Sequence, residues 1–125
     1  DLMALKGKHV AETIQNSLKR FSARPMIADY SPTEELRWMT YSQALILCET
    51  AAYSISKLIP PRSFVGICAP NSSDWVLADI AMIFAGMVVV PIPVSFSEDQ
   101  LRHIVNLCEI KLICCGTRNF KTVAK

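Results

Sequence analysis

Apolar residues at Val10, Ile14, Leu18 and Phe21 recur every three or four positions. Glu12, Gln15, Asn16, Lys19 and Arg20 fill the opposite side, so the spacing predicts an amphipathic helix from Val10 to Phe21. Pro25 blocks its extension, and Met26 to Tyr30 then reads as a short strand. Ser31 to Glu35 makes a turn and Leu36 to Thr40 returns as the second arm of a hairpin. Thr40 and Gln43 stand at capping-box spacing, the hydroxyl accepting from the N3 backbone N–H while the amide reaches back to the cap. The helix they open carries Leu45, Cys48, Ala52, Ile55 and Ile59 on one stripe and ends before Pro60-Pro61.

Phe64 to Ala69 is a nearly continuous apolar run bounded by turn residues, the pattern of a parallel strand covered on both faces. Asn71 is the expected N-cap of a helix from Ser72 to Ala85, with Asp74 at N3 near the positive end of the helix dipole. Gly86 is placed to take the left-handed conformation after that helix. Met87 to Ile92 reads as a second buried strand. Ser97 and Gln100 repeat the capping-box spacing ahead of a helix lined by Leu101, Ile104, Val105 and Cys108. Lys111 to Cys115 is a third buried strand, and Gly116 turns the chain toward another helix. Strands alternating with helices predict an α/β fold: a parallel, doubly wound sheet of βαβ layers with helices on both faces.

With 51% hydrophobic residues in 125, the chain can bury one core and forms a single unit over residues 1–125. Thirteen basic residues against eleven acidic ones leave a net charge of +2, too little to steer a polyanion, so nucleic acid is not an expected partner. The longest apolar run, Ile80 to Val94, is interrupted by Gly86, Pro91 and Pro93 and falls short of the roughly 18 residues that span a bilayer. The start, Asp1-Leu2-Met3, has no basic region leading into an apolar stretch, so no secretory signal is read there; without an initiator Met it is expected to belong to an excised fragment or a processed chain.

The five cysteines, Cys48, Cys68, Cys108, Cys114 and Cys115, form no Cys-x-x-Cys pair and have no histidine at ligand spacing. They sit in apolar stretches, where a free thiol packs as a small hydrophobe in a reducing, cytoplasmic compartment; a reactive thiol is the alternative. His9 and His103 have no nucleophile assignable to them, and Glu34-Glu35 and Glu98-Asp99 read as a solvated turn and a helix N-terminus ahead of an acid–base pair. Trp38 and Trp75 admit recognition as well as packing, with packing at the edge of a core the preferred reading for Trp75. With glycines only at positions 7, 66, 86 and 116, neither a P-loop nor a Gly-x-Gly-x-x-Gly loop is present.

Four stretches occur in a telling order. Trp38-Met39-Thr40-Tyr41-Ser42-Gln43-Ala44 looks like a Leu-Thr-Tyr-x-Glu-Leu helix entry, and Ile67-Cys68-Ala69-Pro70-Asn71-Ser72-Ser73-Asp74-Trp75-Val76 like a strand-to-helix stretch containing Pro-Asn-Ser-x-Glu-Trp. Phe84-Ala85-Gly86-Met87-Val88-Val89-Val90-Pro91-Ile92 is similar to Lys-Ala-Gly-Ala-Val-x-Val-Pro-Leu, and Ser97 to Val105 to a helix with Glu-Leu-x-Tyr-Ile-Leu. Together, from about Val10 to Gly116, they resemble the amino-terminal subdomain of the adenylate-forming superfamily, which includes acyl-CoA synthetases, luciferases and amino-acid adenylation domains. Asp74, Phe84 and Met87 depart from the usual Glu, Lys and Ala.

The resemblance implies a two-step ligase in which a carboxylate and Mg-ATP give an acyl adenylate and pyrophosphate, and coenzyme A then displaces AMP. Pro-Asn-Ser followed by an acidic residue and Trp leans toward fatty or aryl acyl-CoA synthetases over amino-acid adenylation domains, with a fatty acid the expected substrate. ATP, Mg and coenzyme A belong to the full-length parent. The family's Gly-rich phosphate loop, aromatic-Gly-x-Thr-Glu motif, ribose-binding Asp and catalytic Lys would lie beyond Lys125, so no catalytic, cofactor-binding or metal residue is assigned here. The chain is then expected to be an inactive amino-terminal part, its partner the remainder of the parent enzyme, with peripheral membrane contact open for that parent. Two alternatives stand: a truncated homologue serving as an interaction subunit whose partner covers the same face, and the loading segment of a multidomain synthase.

Overall fold

The computed structural model describes residues 9–124, so the reading of the first three residues lies outside the described part. Helix α1 (Val10–Arg20) leads into an antiparallel hairpin of β1 (Pro25–Tyr30) and β2 (Leu36–Thr40), followed by α2 (Tyr41–Leu58). Then come β3 (Phe64–Cys68), α3 (Ser73–Phe84), β4 (Val88–Pro91), α4 (Glu98–Cys108), β5 (Leu112–Cys115) and the short α5 (Phe120–Val123). The second sheet is parallel, in the order β4-β3-β5.

That order explains the doubly wound layers. The connection from β3 to β4 and the one from β4 to β5 run in opposite directions along the sheet, and crossovers of one hand then place their helices on opposite faces. Val65, Val89, Leu112 and Cys114 accordingly pack with α1, α2 and α3 around Leu18, Cys48, Ile80 and Met82. Cys68, Val90, Ile113 and Cys115 pack on the other face with α4 and α5 through Leu101, Ile104 and Val123. The period-2 alternation of the strands thus divides the core into two layers. Gly66 faces the second layer, where a Cβ would come within 2.7 Å of Ile92 Cδ1.

Both capping boxes form: Thr40 Oγ1 accepts from Gln43 N, Ser97 Oγ accepts from Gln100 N, and each glutamine accepts from its cap's N–H at 2.9 Å. The cap of α3 is Ser72 instead of Asn71. Ser72 is the residue held in extended backbone with its hydroxyl accepting from Trp75 N at 3.2 Å, so Asp74 moves to N2. Val10, at the start of the α1 stripe, is exposed, whereas Leu18 is buried. In α2 Ala44 joins Cys48, Ala52 and Ile55 inside, while Leu45 and Ile59 are only partly covered. Of the three strands read as buried, β3 is enclosed from Val65 to Cys68, but β4 and β5 are half-buried because each has only one neighbour.

Gly86 has φ +74° directly after α3, and a Cβ there would touch nothing within 4 Å. The cost of a side chain is therefore backbone strain alone. Gly86→Val is expected to lower stability by roughly 1 kcal/mol or more, read as a shift in the chemical denaturation midpoint; an unchanged midpoint would show that the turn relaxes.

Candidate functional site: a crevice at the strand C-termini

The loops leaving β3 and β5 part toward opposite faces, one into α3 and the other into α5, and a crevice opens where they separate. In an open parallel sheet this reversal point outside the strand C-termini is the standard place for a ligand. The crevice encloses about 480 Å³. Ala69 and Pro70 form one wall with Trp75, and the segment Gly116 to Asn119 forms the other.

Trp75 sits at N3 of α3, half-buried, and separates this crevice from a second cleft of about 420 Å³ bordered by Pro70, Asn71 and Pro91 to Ser95. It belongs to neither core cluster. The lining carries two charged side chains, Asp74 and Arg118, both exposed, beside the polar Ser72, Thr117 and Asn119. Asn119 contributes a buried side-chain oxygen, Oδ1, that accepts no hydrogen bond.

The first turn of α3 is braced from a distance. Asp29, in β1, accepts from the Ser73 backbone N–H at 3.1 Å and from the Ser73 hydroxyl. A hairpin carboxylate thus occupies the first turn of α3, where the helix dipole favours negative charge. Nothing in the local sequence signals this contact, because its two ends lie 44 positions apart.

The other sequence candidates are scattered. His9 is the N-cap of α1 with no side-chain hydrogen bond to the helix, and His103 is exposed on α4. Glu34 and Glu35 lie in the hairpin turn, Glu34 with φ +62°. Glu98 and Asp99 occupy the first turn of α4, where Arg102 reaches them at 3.1 and 3.6 Å. Trp38 is 59% exposed on the hairpin. Among the described residues no group of three His, Cys, Asp or Glu side chains is placed to hold a metal. No described helix is long and apolar enough to cross a membrane.

All five thiols are free. Cys48 is buried, donates to the Leu77 carbonyl at 3.5 Å, and its pKa is pushed up to about 11 by burial, with a smaller contribution from Glu49. Burial also raises Cys68 and Cys114, Cys115 adding to both. ATP does not fit the crevice as built from these residues. Gly116 is its one glycine, Arg118 its one cation, and Asp74 would oppose a polyphosphate.

Known proteins share this arrangement. The family model described as AMP-binding enzyme matches residues 14–125. Long-chain-fatty-acid–CoA ligase ACSBG2 of Mus musculus is 31% identical over 107 residues, covering 83% of this chain and 16% of its own. Long-chain-fatty-acid–CoA ligase 1 of Cavia porcellus is 27% identical over 105 residues, 82% of this chain and 15% of its own. The chain therefore spans about one sixth of the length of these relatives. The luciferase-like enzyme of the mealworm Zophobas morio superposes with TM-score 0.83 at 19% identity, over 96% of this chain and 28% of that one. The A domain of carboxylic acid reductase from Segniliparus rugosus does so with TM-score 0.84 at 16% identity, over 94% and 22%. The match over residues 14–125 settles the family: this chain belongs to the AMP-binding enzymes.

Proposed function

We propose that the chain is the amino-terminal scaffold of an ATP-dependent acyl-CoA ligase that activates a long-chain fatty acid as its adenylate and passes the acyl group to coenzyme A. The observation that carries this reading is the family match over residues 14–125, joined to relatives named as long-chain-fatty-acid ligases. The four motifs support it by what they build. Trp38 to Ala44 joins the hairpin to α2, Ala69 to Trp75 turns β3 into α3, Phe84 to Ile92 turns α3 into β4, and Ser97 to Val105 opens α4. Each positions backbone at a junction of the sheet; none places a nucleophile or a general base. On this reading the residues that hold ATP, Mg and coenzyme A belong to other parts of the parent enzyme, which the single glycine and single cation of the crevice support.

The test compares two preparations. The 125-residue chain alone is expected to show no fatty-acid-dependent exchange of labelled pyrophosphate into ATP, and the native polypeptide that carries it is expected to show robust exchange. A native polypeptide without exchange on any fatty acid would overturn the ligase reading; exchange by the isolated chain would overturn the placement of the chemistry.

A further inference from the structure

The register of the parallel sheet pairs Cys68 on β3 with Cys115 on β5. Adjacent strands lie about 4.8 Å apart, inside the range of about 4.4 to 6.8 Å that disulfide-linked Cα atoms occupy. The two side chains also share a face, since both belong to the layer formed with Leu101 and α4. Cys114 points the other way, into the layer with Val65 and Met82, and cannot compete for Cys68. Access is uneven: Cys68 is 5% exposed, whereas Cys114 and Cys115 are both half-buried and border the crevice, and of these two only Cys115 shares a face with Cys68.

We propose that Cys68 and Cys115 are a dithiol–disulfide site that reacts with small disulfides of the glutathione type entering through the crevice. The Cys115 thiolate attacks one sulfur of oxidised glutathione, whose S–S bond breaks and releases one reduced glutathione. The Cys68 sulfur then attacks Cys115 in the mixed disulfide and expels the second glutathione. Two protons and two electrons pass from the protein to the glutathione disulfide, and excess reduced thiol reverses both steps. Burial pushes the Cys68 thiol up, and the neighbouring Cys115 adds to that shift. The Gly116 N–H already donates to the Cys68 carbonyl at 3.2 Å, so the bond would lock the strand ends from which the crevice wall departs. This site stands independently of the ligase reading.

The purified protein is equilibrated with graded ratios of oxidised to reduced glutathione, quenched in acid, alkylated and digested with trypsin. Peptides 63–102 and 112–118 are expected to appear linked, with the loss of two hydrogens. Cys114→Ser should keep the link, and Cys115→Ser should abolish it and leave Cys68 alkylated. Cys115 is half-buried, so that variant should retain its circular dichroism; slower amide exchange across β5 in the oxidised native protein provides a readout needing no substitution. A link that survives Cys115→Ser, or a native protein that stops at a glutathione adduct on Cys115, would overturn the proposal.

Discussion

Met82→Ala is expected to lower the free energy of unfolding by roughly 3 kcal/mol, from the usual cost of truncating a fully buried long side chain. Met82 is 0% exposed and lies in the layer where α3 meets α2 and the sheet, in contact with the cluster of Leu18, Cys48, Val65 and Ile80. Its backbone carbonyl also accepts from Met87 N at 3.0 Å, closing the turn into β4, a bond that the substitution leaves in place. Urea denaturation of the variant and its parent reads the difference. Met82→Leu, which nearly conserves volume, should cost less than about 1.5 kcal/mol. Equal losses for both would place the effect in something other than the cavity.

Asp29→Ala is expected to destabilise by about 1 to 2 kcal/mol and to act mainly on the hairpin. The Ser73 hydroxyl is buried and loses its acceptor, and the first turn of α3 loses a carboxylate near its positive end. Because Asp29 itself is exposed, the lower part of that range applies if water reaches the vacated oxygens. Amide exchange should accelerate across β1 and β2 more than across β3, and Asp29→Asn, which keeps one acceptor, should fall between. Unchanged exchange in the alanine variant would show that the hairpin is held by its packing on α2 and α3 alone.

What could be read from the sequence is what depends on neighbours in the chain. Thr40 with Gln43 and Ser97 with Gln100 satisfy a local hydrogen-bond geometry, and Gly86 answers a local demand for positive φ. The expected cap at Asn71 gives way to Ser72 for the same reason in reverse. Both are good caps, and the tertiary brace from Asp29 on the Ser73 N–H favours the later start. Strand order is nonlocal, so the half-exposure of β4 and β5 was not visible in runs such as Leu112 to Cys115. A doubly wound sheet implies only a general place for the crevice, outside the strand C-termini. Its particular contents, the unbonded Asn119 oxygen and the Cys68–Cys115 pairing, depend on which strand lies beside β3.

That neighbour relation also sets an order of events in folding. Val65 meets Val89 across 24 positions (65 to 89) but meets Leu112 across 47 (65 to 112), about twice the span. Doubling a loop adds only about 0.6 kcal/mol of closure entropy, yet docking β5 also requires α4 to have crossed to the far face. The β3-α3-β4 unit can therefore condense first as a nucleus, and β5 arrives late with the wall of the crevice attached. β4 and β5 are both four-residue edges with one neighbour each, so the span of chain that each pairing closes is what sets them apart. One wall of the crevice is thus carried by the strand whose pairing closes the longer stretch of chain.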